Sequence, residues 1–309
     1  MYPLLLKNYN PDEGKEIPVL KFGDGEIKDA ESYLLSGRDD SESVIKNGAF
    51  ARLGLNEALG KLGGGLLPGI GFPVTIELIN TRERMPVKVY PDDEYASLHG
   101  ARIGKISLIY VVDCKEDAEM VYGLSRNISP EELKARVQNG SLSSVCKFVN
   151  CRKGDVFFIP PGVVFAVGGG ISAIVISSNS DSEYIISDYG RIGADGKPRA
   201  LQVDRALDVM KTRKNNLRYG NAGDMTLYPF GTVRELCDCD IFKSELITMD
   251  GNVGFYEDEN FVSLIPVSGD VIMSYASGNM RLKAGDSVLI PEKVKVKLSG
   301  RAEILYTKI

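Results

Sequence analysis

The chemistry open to this chain is narrowed first by its histidines: there is one, His99, and there is no tryptophan. Sites built on two or more imidazoles are thereby excluded, which removes zinc hydrolases that hold their metal through two or more histidines. His99 itself reads as a surface or helix-end residue. The five cysteines, an odd number in a chain this long, read as reduced thiols and point to the cytoplasm. Cys237 and Cys239 are one residue apart with no nearby histidine to complete a zinc set, so no metal is expected there. Asp92, Asp93 and Glu94 invite an acid/base assignment. Following Pro91, they read instead as the cap of a helical turn, where carboxylates accept free backbone N–H groups. Arg191, Lys197 and Arg199 share one polar loop, and its arginines have Asp188 and Asp195 within reach as ion-pair partners. The glycines offer no phosphate loop, because Gly63 to Gly65 lead into Leu66 and Gly104-Lys105 into Ile106 rather than into a helix start with Ser or Thr.

The elements that must position these groups are mostly strands. At 309 residues and 43% hydrophobic, the chain can build a substantial core in one large domain or two smaller ones. A formal net charge of −5 and the lack of a basic block argue against a nucleic-acid partner. No run approaches the ~18 apolar residues of a membrane span, and the N-terminus lacks the regions of a signal peptide. Residues 154–170, GDVFFIPPGVVFAVGGG, read as strand, Pro-Gly turn and strand, with Phe157, Ile159, Val163 and Phe165 on alternating, barrel-lining positions. Residues 285–296, GDSVLIPEKVKV, repeat the pattern Gly-Asp, three residues, Ile-Pro, so two related β-structures are expected.

Short strands are expected at 32–35, 43–45, 74–79, 87–90, 106–112, 171–177 and 184–186, with further apolar runs at 4–6 and 19–22. Helices are expected at 55–62, stopped by Gly63, at 130–138 behind the capping box Ser129-Pro130-Glu131-Glu132, and within 201–211. The whole reads as mainly all-β with short helices, two β-barrels or jelly rolls of which the first is larger. The expected boundaries are 1–211 for the first domain, 212–222 for a linker and 223–309 for the second.

At Val87-Lys88-Val89-Tyr90-Pro91-Asp92-Asp93-Glu94 the chain resembles the type I mannose-6-phosphate isomerases, zinc enzymes of the cupin superfamily. Ala30-Glu31-Ser32-Tyr33 resembles the family's Gly-Glu-Ser-Trp segment, and Gly104-Lys105-Ile106-Ser107 its Gly-Lys-Thr-Glu strand. Lys153-Gly154-Asp155 through Gly168, then Asp188-Tyr189-Gly190-Arg191 and Asp195-Gly196-Lys197-Pro198-Arg199, follow in family order. Gly285-Asp286 fits its smaller second cupin. The resemblance covers nearly the full chain and implies two cupin-like barrels.

It also implies where zinc should sit, and there the residues depart from the family. Lys88 stands for a Gln, Tyr90 for a His, Ser107 for a Glu and Phe165 for a second His, so all four expected metal ligands are replaced. Glu77, Ile185, Gly190, Gly193 and Gln202 replace further polar family residues, while Arg191, which the resemblance implicates in catalysis, is kept. The expectation is a cofactor-free homologue that has lost zinc and normal isomerase catalysis, a pseudoenzyme that keeps sugar-phosphate binding through Lys197 and Arg199. Two alternatives stay open: a metal-independent hexose-phosphate isomerase working through Lys88, Tyr90 and Arg191, and a regulatory cupin that binds another protein. The expected small-molecule partner is a phosphorylated hexose, and the sequence sets no oligomeric state.

Overall fold

The two Gly-Asp segments are built alike in the computed structural model, which describes residues 1–9, 30–193, 195–221 and 223–309. Gly154 and Gly285 both take φ of 86°, a left-handed backbone that only glycine adopts without a Cβ penalty. In each, the aspartate folds back three residues: the Arg152 N–H donates to Asp155 Oδ2 and the Lys283 N–H to Asp286 Oδ2, both at 2.8 Å. The buried strands Val156–Ile159 and Ser287–Ile290 follow, each running into an Ile-Pro turn. The repeat read from the sequence is therefore a repeat of structure.

The chain divides into two compact units, one of residues 79–221 and one joining 1–9 and 31–78 to 223–309. This corrects the expected 1–211 domain. Leu4–Lys7 pairs antiparallel with Ser287–Ile290 on one side and Val44–Ile45 on the other. Four apolar residues announce a strand but carry nothing that selects a partner so far along the chain. Nor are residues 212–221 of the expected 212–222 linker free of the fold; residue 222 lies outside the described residues. Asn215 is buried and its Nδ2 donates to the Tyr122 carbonyl at 2.8 Å, where the ladder between Glu119–Leu124 and Cys146–Asn150 is interrupted. Tyr219–Gly220 pairs with Val156–Ile159. The apolar run expected at 19–22 lies outside the described residues.

In the unit that contains 223–309, one antiparallel sheet runs Met225–Tyr228, Gly231–Asp238, Lys243–Phe255, Val296–Lys308, Val262–Tyr275, Ser287–Ile290, Leu4–Lys7 and Val44–Ile45, with Gly278–Lys283 beside Val262–Tyr275. Its core is aliphatic, drawn from Leu264, Val271, Met273, Leu282, Val288, Leu298 and Ile304 among others. The helix Leu55–Leu62 forms as its spacing requires, with Leu55, Ala58 and Leu59 buried and Gly63 closing it at φ 81°.

The 79–221 unit has two antiparallel sheets. One runs Tyr184–Ser187, Val87–Val89, Phe165–Val167, Glu119–Leu124 and Cys146–Asn150. The other includes Tyr219–Gly220, Val156–Ile159, Ser107–Cys114 and Ile171–Ser178. Period-two alternation divides the first sheet cleanly. Tyr90, Met120, Tyr122, Phe165 and Val167 face the core shared with Phe157, Ile159 and Ile109. Val87, Val89, Val121 and Ala166 face outward, against Leu133 of helix Pro130–Gln138 and Ala206 of helix Val203–Val209. The Pro130 helix starts where the capping box places it, the Glu132 N–H donating to Ser129 Oγ at 3.1 Å. No helix among the described residues is long and apolar enough to cross a membrane.

Candidate functional site

Lys88 lies one residue from either end of the strand Val87–Val89, directly opposite Phe165 in the antiparallel ladder. Tyr90, two residues on, shares its face, so Lys88, Tyr90 and Phe165 converge on the inner side of the sheet. The Tyr90 and Phe165 rings meet edge to face, 4.9 Å between centroids and 63° between planes, a geometry aromatic quadrupoles favour. Ser107, fully buried, points its hydroxyl at the Tyr90 hydroxyl at a long 3.5 Å. The four positions that the resemblance links to zinc are thus brought together.

Two residues that the sequence reading passed over complete the group. Lys88 Nζ lies 2.9 Å from Glu183 Oε1, and Lys105 Nζ lies 3.3 Å from Glu183 Oε2. Lys105 Nζ also stands 5.3 Å from the centre of the Tyr90 ring, within cation–π range. Burial works against charge on Lys88 and Glu183. Even so, Coulomb attraction to the two ammoniums, added to their hydrogen bonds, pulls the Glu183 carboxyl down to about 2. For Lys88, burial likewise pulls the pKa down, but the Glu183 charge outweighs it and leaves the pKa raised. Glu183 and Lys88 are both charged across the physiological range.

Backbone and small hydroxyls fix this geometry. The Gly104 N–H donates to Asp93 Oδ1 at 2.7 Å, and the Lys105 N–H to the Pro91 carbonyl at 3.1 Å. A Cβ at Gly104 would come within 2.5 Å of the Pro91 carbonyl oxygen, so only glycine lets the Lys105 segment approach this closely. On the other side, Ser180 and Ser182 both donate to the Ile103 carbonyl, at 2.8 and 3.2 Å, holding the chain that carries Glu183 against the chain that carries Lys105. The acidic cluster caps a helix as expected, Asp92 Oδ1 accepting from the Tyr95 N–H at 2.9 Å. Its neighbour Asp93 has the added task of seating Gly104.

Arg191 and Arg199 form a separate group. Ile192 and Pro198 are bridged antiparallel and the Arg199 N–H donates to the Arg191 carbonyl at 3.2 Å, which brings the two arginines together. Both reach the buried Asp188: Arg191 Nη1 is 3.1 Å from Oδ1 and Arg199 Nε is 3.5 Å from Oδ2. Arg191 also donates to the Arg84 carbonyl and lies over the Tyr189 ring. Neither its hydrogen bonds nor its ring contact involves Lys88 or Tyr90. Asp188, Tyr189 and Phe148 line a cavity of about 410 Å³ with the outward-facing Val87, Val121 and Ile186. Lys197 is exposed. The loop ion pairing read from the sequence is what forms. His99 ends the helix Asp93–Leu98, exposed and stacked on Tyr95 at 3.8 Å.

The signal for Lys105 was present in the sequence as a Gly-Lys pair set aside when it failed as a phosphate loop. Glu183 left a fainter one: it precedes a strand antiparallel to that of Lys88, and no periodicity marks it.

No family model matches the sequence. The chain is 27% identical over 306 residues to mannose-6-phosphate isomerase ManA of Bacillus subtilis (strain 168), which spans 96% of this chain and 93% of that protein. It is 26% identical over 280 residues to the mannose-6-phosphate isomerase of Streptococcus mutans, spanning 89% and 87%. The crystal structure of the Bacillus subtilis mannose 6-phosphate isomerase superposes with a TM-score of 0.83 over 100% of both chains at 23% identity. Relatives across nearly the whole chain and a shared fold agree: this chain is a homologue of the type I mannose-6-phosphate isomerases and carries their cupin-like fold.

Proposed function

We propose that the chain binds a phosphorylated hexose at the Lys88–Glu183–Lys105 cluster and does so without zinc. The observation that carries this reading is the charge at the cluster. Two ammoniums share one carboxylate in a setting largely shielded from water, which leaves one positive charge uncompensated within the cluster. A shielded excess charge attracts an anion strongly, because little solvent screens it. The substrate class comes from the relatives, which are named for mannose 6-phosphate.

Zinc does not fit these side chains. Phe165 has no donor atom, and the Lys88 ammonium is engaged by Glu183. The Tyr90 and Ser107 hydroxyls face each other, and neither matches the imidazole, thiolate and carboxylate ligands that zinc takes. Among the described residues, no three of His, Cys, Asp and Glu gather to hold a metal. Proton transfer is also poorly served. A general base works best with a pKa near the operating pH, whereas Glu183 is held at about 2 and Lys88 is held charged. These features support binding over turnover. Arg191 and Arg199 belong to the separate group around Asp188, and neither they nor Lys197 are members of the cluster.

One observation favours the second reading, a metal-independent isomerase. Lys105 lies over the Tyr90 ring and Lys88 sits on the same face as Tyr90, so two ammoniums flank a phenol that could relay a proton. Preorganised ammoniums stabilise a developing enediolate.

Calorimetric titration with mannose 6-phosphate, fructose 6-phosphate and unphosphorylated mannose tests the first reading. Both phosphates are expected to bind and mannose is not, and Lys105→Met is expected to weaken binding at least about tenfold. No binding at millimolar phosphate sugar, or equal binding by the variant, overturns it. Stoichiometric zinc in the purified protein overturns the zinc-free part. Turnover in a coupled assay with excess chelator, lost in Lys88→Met, would establish the second reading instead.

A further inference from the structure

Residues 211–218, KTRKNNLR, carry four cations and no acid in a chain whose formal net charge is −5. The 79–221 unit holds this segment by its backbone. The Lys211 N–H donates to the Gly162 carbonyl at 2.9 Å and the Asn215 N–H to the Leu124 carbonyl at 3.0 Å. The Ile128 N–H donates to the Thr212 carbonyl at 2.9 Å, and the Lys214 N–H to Asn127 Oδ1 at 2.7 Å. Asn215 is buried beneath the segment, while Lys211, Arg213, Lys214 and Arg218 stay exposed.

The segment and the turn at 160–164 line a cavity of about 330 Å³, at the small end of the range for small-molecule sites. Its lining joins Lys211, Arg213 and Lys214 to the apolar Val163, Val164 and Leu217, and none of the described residues that line it is acidic. Elsewhere in this unit cations are met by carboxylates, Arg84 by Glu119 and both Arg126 and Arg136 by Glu132. Among the described residues, no carboxylate pairs with Lys211, Arg213 or Lys214.

We propose that this cavity binds an organic polyphosphate of the nucleoside triphosphate class, with the phosphates against Lys211, Arg213 and Lys214 and the base on Val163, Val164 and Leu217.

Charge selects one half of the ligand. Lys211 and Lys214 are three residues apart, no more than about 11 Å of extended chain, so one ligand can meet all three cations. Their backbone is fixed, and water and salt screen their mutual repulsion without removing it. The crowding shows at Lys147, where burial, with the Lys214 charge added to it, holds the ammonium below the usual lysine range. A singly charged anion would leave most of this excess in place, whereas a row of phosphates matches a row of cations. The lining offers no carboxylate for a divalent cation, so the side chains themselves do the neutralising. Packing selects the other half. An inorganic chain has nothing to place on Val163, Val164 and Leu217, and a flat ring gains by leaving water there. The Lys88 cluster differs on both counts, because its excess charge is single and a carboxylate stands within it.

The full chain is titrated calorimetrically with adenosine triphosphate, inorganic triphosphate and adenosine, in chelator and about 50 mM salt. The nucleotide is expected to bind at one site, at least about tenfold more tightly than inorganic triphosphate, and adenosine is expected not to bind measurably. Raising the salt to about 300 mM should weaken the nucleotide at least about tenfold, a reading that needs no variant. The triple substitution Lys211→Met, Arg213→Met and Lys214→Met changes exposed side chains and should weaken it at least about tenfold as well. Lys105→Met, in the other cluster, should leave it unchanged. No binding at millimolar nucleotide overturns the proposal. So does equal binding by inorganic triphosphate, which would mean an unspecific attraction to the cations. Binding that ignores salt, survives the triple substitution or is lost in Lys105→Met puts the nucleotide elsewhere and overturns it too.

Discussion

The two Gly-Asp turns open onto different interiors. Behind the turn at Gly162, whose N–H donates to the Tyr90 carbonyl at 2.9 Å, the sheet presents Lys88, Tyr90 and Phe165, with Glu183 and Lys105 joining them. Behind the matching turn at Lys293, Val296 leads into Leu298, Val271, Met273 and Val288, an aliphatic core. The backbone of the turn is the same in both, so it does not require a polar interior. Placing three charges out of water costs several kcal/mol per ion before their mutual attraction is counted, and apolar packing of equal volume is as stabilising or more so. The second unit shows that this chain can fill such a space with aliphatic side chains. The ionic cluster in the first is therefore better explained by what it binds than by what it holds together.

That comparison can be broken from either side. On the aliphatic side the largest effect is expected from Leu298→Ala, which removes a fully buried side chain and leaves a cavity. It should destabilise by about 3–4 kcal/mol, seen as a lower melting temperature that does not change with pH between 3 and 8 and that phosphate sugars do not alter in sign or size.

On the ionic side, Glu183→Gln leaves two ammoniums facing each other with no carboxylate, and should cost on the order of 3 kcal/mol at pH 7. Unlike Leu298→Ala, this cost depends on pH. An ordinary glutamate titrates near 4.5 and Glu183 in the fold at about 2. A carboxyl with a depressed folded pKa contributes in full above the unfolded value and loses its contribution as pH falls toward the folded one. The gap in stability between wild type and Glu183→Gln should therefore close between pH 4.5 and 2. A gap that stays constant over that window would mean that Glu183 acts by packing alone.

The sharper test removes the whole cluster. The triple substitution Lys88→Met, Lys105→Met and Glu183→Leu makes the first interior resemble the second. If the ionic cluster serves binding, the variant should keep its stability within about 1 kcal/mol of wild type, or gain, while phosphate-sugar binding measured by calorimetry disappears. A loss of several kcal/mol would show that the charges hold the barrel together after all.

How much of this was legible in the sequence follows from the range of each interaction. The helix Pro130–Gln138 was readable to the residue because its capping box and Pro are local. The repeat was readable because Gly154 and Gly285 answer one backbone requirement. The convergence of Lys88, Tyr90, Ser107 and Phe165 followed from the family resemblance together with strand alternation. What escaped was set by partners far along the chain. Glu183 is 95 residues from Lys88, and nothing in a tripeptide of Asp, Ser and Glu announces which ammonium it will meet. Leu4–Lys7 joined a sheet made almost wholly from residues beyond 222 for the same reason. Asn215, in a stretch that reads as linker, was fixed by one carbonyl left open at Tyr122.

The smallest effect bears on the turns themselves. Gly162 takes φ of 83°, and the matching position in the second turn is Lys293 at 62°. A side chain in that left-handed region costs roughly 1 kcal/mol, so the second turn is strained where the first is not. The Lys293 N–H donates to the Glu257 carbonyl at 2.7 Å, a bond that glycine would keep, and the side chain is exposed. Lys293→Gly relieves the strain and returns part of the gain through the greater freedom of glycine in the unfolded chain. A net stabilisation of about 0.5 kcal/mol is expected, a rise of about 1–2 °C in melting temperature. The reciprocal change should not be symmetric. A Cβ at Gly162 would meet Lys211 Cγ at 2.8 Å and the Val209 carbonyl oxygen at 2.9 Å, so Gly162→Ala adds a clash to the strain. If Lys293→Gly instead destabilises, the two turns differ in more than their interiors, and the shared backbone from which the comparison starts is only approximate.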